Sequence, residues 1–237
     1  SAASDVYKST IASSLFIAGC GNTVTSQKTW RVGTDATYAP FGFKDKDSGK
    51  LAGFDIDIIN AIAKEEGIEA DIQNLNFDAL LPALQSNTID IAISDMTISE
   101  DRAKSVDFSK PYYIAGNGLV VNIDNTNINS FKDLEGKRIG VSIGSTGAEI
   151  ASKIQNADVR QFNIIVDAFL ELQNKGVDVV INDTPVNEYY VNGKGKGIAK
   201  VTGEDYDAAP LGIAVKKGNT ELLNLSLIHI SEPTRHW

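Results

Sequence analysis

Few residues in this chain can carry covalent or metal chemistry. Among 237 residues there is one cysteine, Cys20, and there are two histidines, His229 and His236, both in the last nine positions. A lone cysteine makes no internal disulfide, and zinc sites and Cys/His nucleophile pairs lack their parts. A Ser-His-Asp arrangement would have to recruit a histidine from the extreme C-terminus. Catalysis would rest on carboxylates, lysine, tyrosine or serine, so binding leads as the class of function, with no cofactor and no metal expected. The net charge of -9 speaks against nucleic acid as a partner, because phosphate-backbone binding needs clustered cations.

Binding chemistry, by contrast, is well supplied. Arg102 follows Thr97-Ile98-Ser99-Glu100-Asp101, which reads as a capped helix start. A cation there opposes the helix dipole by roughly 0.3–1 kcal/mol. A ligand carboxylate would offset that misplacement, since a guanidinium fork grips it with charge-assisted bonds of about 1.5–3 kcal/mol each. The same spacing suits a solvated arginine paired with Glu100 or Asp101. Thr146 and Glu149 fit a capping box, yet Gly144-Ser145-Thr146-Gly147 opening a helix also offers N–H groups to an anion. Asp183 precedes Thr184-Pro185, where Thr184 is expected to cap and Pro185 to open the helix, leaving Asp183 for an ammonium group or a lysine. Tyr38 and Phe77 offer flat faces to a ligand or to the core.

These residues need a scaffold, and the chain alternates strand and helix from Thr29 onward. Strands are expected at 29–34, 70–75, 89–94, 112–122, 138–142, 159–162, 177–182 and 211–215. Helices are expected at 77–85, 147–154, 165–173 and 186–191, with one capped by Asp55 that places Ile56, Ile59, Ile62 and Ala63 on one face. Such alternation implies mostly parallel sheets with helices on both faces. Two runs of it, joined through Gly116 to Val121 and again through Pro210 to Val215, read as two lobes on a two-crossing hinge able to close over a cleft. No internal repeat of fixed period is found. Ligands of open α/β sheets lie beyond the carboxyl ends of the strands. There stand Asp35 and Tyr38, then Ser94, Asp95 and Thr97, then Ser142 and Thr146, then Asn182 and Asp183.

At this point the motifs resemble a known family. Gly53-Phe54-Asp55-Ile56-Asp57-Ile58 with Ala61-Ile62-Ala63 is similar to the signature of the polar amino-acid family of extracellular solute-binding proteins of ABC transporters. Gly33-Thr34-Asp35, Asn76-Phe77, Met96-Thr97-Ile98 with Arg102, Asp107-Phe108-Ser109-Lys110-Pro111-Tyr112-Tyr113, Gly144-Ser145-Thr146-Gly147 and Asp183-Thr184-Pro185 follow in the family's order between residues 29 and 225. The resemblance implies a two-lobed periplasmic-binding-protein type II fold that closes on a free amino acid. It also implies an ABC permease and its ATPase as partners, a monomer, and an extracytoplasmic location. By the family pattern Arg102 and Thr146 hold the α-carboxylate, and Asp183 and Thr97 the α-ammonium. Tyr38 and Phe77 sandwich the side chain, with Asp35, Ser94, Asp95, Ser142 and Asn182 around its end.

This sequence departs from the pattern at Asp95, where a small residue is common, and at Ser142 and Asn182, where basic or amide residues are frequent. An acid gained and a donor lost tilt the pocket negative, which favours arginine or lysine over glutamine and disfavours glutamate. A dehydratase on the same fold is the alternative, with Asp95 as proton donor. The expected organisation has four parts. Residues 1–28 are a lipoprotein signal remnant and tether, with Cys20 as the lipidation site, since small residues before it close an apolar stretch. Residues 29–117 with 210–225 form lobe 1 without its usual C-terminal helix, residues 118–209 form lobe 2, and residues 226–237 are a non-native tail.

Overall fold

The computed structural model describes residues 28–224; Cys20, both histidines and the tail lie outside them. In chain order the elements are β1 (Thr29–Thr34), β2 (Thr37–Tyr38), β3 (Gly42–Lys44), β4 (Leu51–Ala52), α1 (Phe54–Glu65), β5 (Glu69–Asn74), α2 (Phe77–Gln85), β6 (Ile91–Ala92), α3 (Glu100–Ala103), β7 (Val106–Phe108) and β8 (Tyr113–Asn122). After a short 3-10 turn come β9 (Arg138–Ser142), α4 (Thr146–Ala151), β10 (Asp158–Phe162), α5 (Ile165–Gln173), β11 (Val179–Asp183), α6 (Thr184–Asn192), β12 (Ala199–Leu211) and β13 (Ala214–Lys216). Residues 220–224 are helical.

Two five-stranded sheets carry the fold, in the orders β5-β1-β6-β13-β7 and β10-β9-β11-β8-β12. Each has a parallel trio, β5-β1-β6 or β10-β9-β11, extended on one side by an antiparallel strand, β13 or β8, and then by an outer strand, β7 or β12, antiparallel to that one. The order within the trio is the same in both, a likeness hidden from the sequence. Parallel strands covered on both faces read as continuous apolar runs, because successive side chains point to opposite cores. The first sheet shows this directly. Val32, Ile91, Ile93 and Val215 pack with Ile59, Ile62 and Ala63 of α1, whereas Ala92 and Ala214 pack with Leu80 and Leu84 of α2. In the second sheet Val180 and Val120 meet Ala168, Phe169 and Leu172 of α5, while Val179, Ile181 and Leu119 meet Ile150 and Ala151 of α4.

Each trio is clamped at the edge where its first strand begins. Arg31 grips Asp90 with Nε at 3.0 Å and Nη2 at 2.6 Å, and Asp90 also accepts the Arg31 N–H. Arg138 and Asp178 repeat the arrangement at 3.1 and 2.5 Å, again with the backbone N–H.

Several local expectations change. Asp55 does not cap α1: Gly53 holds that position, and Asp55 is fully buried in the first turn. Gly53 has φ 125°, which L side chains rarely adopt, and a Cβ there would run into the Phe41 carbonyl. The N-cap of α6 is Asp183 rather than Thr184, whose hydroxyl donates to Asp205. Gly118, Leu119 and Val120 are no free link, since they pair with Asn182, Ile181 and Val180 of β11. The chain changes sheet between β7 and β8 and again between β12 and β13, so the strand expected over 211–215 is broken at Gly212-Ile213.

Candidate ligand-binding site

The cavity between the sheets lies at the carboxyl ends of both parallel trios and is lined by nine of the sequence candidates. From the first side come Asp35 and Tyr38 after β1, Phe77 opening α2, Asp95 and Thr97 after β6, and Arg102 in α3. From the second side come Ser142, Thr146 and Asp183. Ser94 and Asn182 stand behind this wall. Ser94 Oγ accepts the Asp35 N–H at 2.9 Å, and Asn182 Oδ1 accepts from Tyr38 Oη at 2.5 Å. The enclosed space is about 20 Å³, room for roughly one water, because protein groups reach across it.

Arg102 is buried and pairs with neither Glu100 nor Asp101; Asp101 is bound to Lys104 instead. Its helix is a single turn capped by Ser99, which accepts the Arg102 N–H. The guanidinium donates to the Thr97 carbonyl at 3.0 Å and, across the cleft, to the Gly144 carbonyl at 2.9 Å. Its carbon lies 5.3 Å from the centre of the Phe77 ring, a cation–π contact. Burial lowers its pKa, opposed by the negative charges of Glu149 and Asp183. Opposite it, Ser145 rather than Thr146 caps α4, accepting the Ala148 N–H at 3.1 Å. The Thr146 hydroxyl is thus left at the cavity, held at 3.2 Å by Asn117 Nδ2. Neither Ser145, Gly144 nor Asn117 was a sequence candidate; the Gly-Ser-Thr turn was the available signal for the first two.

The acids form the other pole. Asp35 is held by the Thr37 N–H at 2.9 Å and the Thr37 hydroxyl at 2.6 Å, which oppose the upward push that burial gives its pKa. Asp183 accepts from Tyr38 Oη at 2.6 Å across the cleft. Asp95 lines the same cavity as Asp35. It lies against Asp183, on a left-handed backbone of φ 49° that Asp tolerates. Asp55, from α1, accepts the Asp95 N–H at 2.8 Å and so holds that turn from below. Burial raises all three, Asp55 to about 6, and Asp95 is raised well above the ordinary value by burial and then by the charges of Asp183 and Asp55. One guanidinium therefore faces three cavity carboxyls, with a fourth behind them. Among the described residues no group of His, Cys, Asp and Glu is placed to hold a metal ion.

Two sheets joined twice by the chain, with charged groups from both turned on one cavity, define a two-lobed solute-binding protein. Residues 30–227 match the bacterial extracellular solute-binding proteins, family 3, and the chain belongs to that family. It is 41% identical over 178 residues to a probable histidine-binding protein of Campylobacter jejuni, covering 71% of this chain and 69% of that one. An ancestral arginine-binding protein bound to arginine is 44% identical, with a TM-score of 0.84 over 87% of this chain and 92% of the other. An ancestral amino acid-binding protein that is a precursor of cyclohexadienyl dehydratase is 40% identical, with a TM-score of 0.79 over 86% and 88%.

Proposed function

We propose that this protein captures a free polar amino acid, arginine or lysine ahead of glutamine, by closing its lobes and then delivers it to an ABC permease with its ATPase. The observation that carries the ligand class is the imbalance of buried charge: one guanidinium, Arg102, against Asp35, Asp95 and Asp183. A zwitterion satisfies the two poles, its carboxylate on Arg102 and Thr146 and its ammonium on Asp183 and Thr97. The surplus of acids calls for a second cation on the ligand, and it rejects glutamate. Tyr38 and Phe77 flank the methylene stem, with Asp35 and Ser142 towards its far end.

The lobes are residues 29–117 with 210–225 and residues 118–209, a division supported by the two changes of sheet. Acylation of Cys20 holds the protein at the outer face of the membrane; loss of detergent partitioning in Cys20→Ser tests this. Thermal shift against the twenty amino acids tests the ligand. Arginine and lysine at a hundred times their dissociation constants stabilise by about 2.7 kcal/mol. A glutamate shift larger than theirs refutes the charge assignment.

A second reading, a dehydratase, is favoured by one observation: Asp95 is a buried cavity acid whose pKa is raised, as a proton donor requires. Product formed from prephenate or arogenate by the purified protein would establish it. Saturable amino-acid binding without product removes it.

A further inference from the structure

Asp95 and Asp183 come from opposite sides of the cleft, Asp95 from the turn after β6 in the first sheet and Asp183 from the end of β11 in the second. Asp55 belongs with Asp95 on the first side, because its carboxylate binds the Asp95 backbone. Closure is therefore the step that brings Asp183 against the other two. In this closed structure both oxygens of Asp95 are buried with no N–H or hydroxyl donating to them, and the carboxyl of Asp183 is the group set against them. The groups facing Asp95 are Asp183 from β11, Asp55 from α1, and the hydroxyls of Tyr38 from β2 and Tyr112 from the segment before β8; Arg102 of α3 acts on Asp183.

The hydrogen bonds around Tyr38 show how few donors the acid pair has. Asn187 Nδ2 donates to the Asn182 carbonyl, which turns Asn187 Oδ1 toward Asn182 Nδ2 and leaves Asn182 Oδ1 facing Tyr38. Tyr38 Oη then lies 2.5 Å from Asn182 Oδ1 and 2.6 Å from Asp183 Oδ2. Its single hydrogen cannot fully serve both acceptors, so the Asp183 carboxylate is left with an incomplete set of donors beside Asp95. Adjacent buried carboxylates with no cation between them do not both ionise.

We propose that Asp95 and Asp183 form an electrostatic gate: the cleft closes only when a positive charge, a proton or a ligand's ammonium group, sits between them. The ligand half of this statement rests on the function proposed above. Closing buries the pair and sets each charge against the other, whereas opening returns both to water near their ordinary values. Carboxyls whose pKa is higher in the closed state favour closure in acid. That preference is complete below the open-state value and is lost as pH rises through the closed-state value. At neutral pH the ammonium group does what a proton does in acid, so deaminated analogues of the ligand leave the cleft open.

Small-angle scattering of the unliganded protein between pH 7.5 and 5 tests the gate. The wild type is expected to compact as pH falls, its closed-to-open ratio rising by up to about tenfold per pH unit for each proton taken up. Asp95→Asn keeps the size and the left-handed turn without the charge, and it is expected to be compact without ligand even at pH 7.5. Scattering independent of pH, with Asp95→Asn as open as wild type at pH 7.5, overturns the proposal. Arginine added at pH 7.5 separates the two ideas. If acid and Asp95→Asn compact the protein but arginine does not, the gate stands and the ligand assignment falls; the reverse pattern sinks the gate alone.

Discussion

Replacing Arg102 with alanine is the sharpest test of the polarity of the site. The guanidinium is buried, lies over the Phe77 ring, and already makes two hydrogen bonds, at 3.0 and 2.9 Å. A ligand carboxylate at this pole would form a desolvated charge pair with it. Truncating one partner of such a pair costs about 2–5 kcal/mol, chiefly because the other charge is left buried and unpaired. In affinity that is a loss of about 30- to 5,000-fold for arginine, read by calorimetric titration of protein whose melting curve shows it folded. Arg102→Lys keeps the charge but not the planar fork, so it recovers only part of the loss. Agmatine, which is arginine without its carboxylate, supplies the decisive comparison. Wild type is expected to bind it far more weakly than arginine, whereas Arg102→Ala is expected to bind the two alike. Arginine affinity within threefold of wild type in Arg102→Ala, or an undiminished preference for arginine over agmatine in that variant, would refute the reasoning.

Asp55 rises from its ordinary 3.8 to about 6 on folding, so its contribution to stability is present below pH 4 and is lost as pH climbs through 6. Asp55→Asn keeps an acceptor for the Asp95 N–H and is expected to gain up to about 3 kcal/mol over wild type at pH 7.5 and nothing at pH 4 in urea melts; a deficit at pH 7.5 contradicts this. Gly53→Ala forces a side chain onto φ 125° and against the Phe41 carbonyl, and it is expected to destabilise by about 1–3 kcal/mol or more; an unchanged melting temperature would show that the loop yields freely. Burial pushes the Asp90 pKa up but its bonds to Arg31 outweigh that and leave it lowered, and Arg138 lowers Asp178, so their contribution holds at neutral pH and is lost as acid protonates them. Asp90→Asn and Asp178→Asn are therefore expected to reduce thermal stability at pH 7, with a deficit that shrinks as pH falls below the ordinary carboxylate value.

The alternating strands and helices were legible because each parallel strand is packed on both faces, which writes a short apolar run into the sequence, as at Val179-Val180-Ile181. Phe77–Gln85 is the helix its spacing predicts. What failed was depth and direction. An Asp near a helix start looks like a cap whether it points back at the helix or, as Asp55 does, into a neighbouring turn. Thr146 fits a capping box, yet Ser145 one residue earlier does the capping and frees it. The left-handed turn at Asp95 leaves no mark in composition, so nothing in the sequence could place that carboxyl beside Asp183. The short sheet β2-β3-β4 was also missed, since strands of two or three residues show no period to read.

The twin clamps Arg31–Asp90 and Arg138–Asp178 sit at the strand edges remote from the cavity. They resemble bolts at the heels of two jaws, each tying the first and third strands of its trio where no ligand reaches. Because the bracing is done there, the tips are released from structural duty. Ser142, which lines the cavity, can be exchanged for other side chains to change the diet of the protein while the jaws keep their shape. An engineer seeking a new amino-acid sensor should leave the heels alone and rewrite the bite.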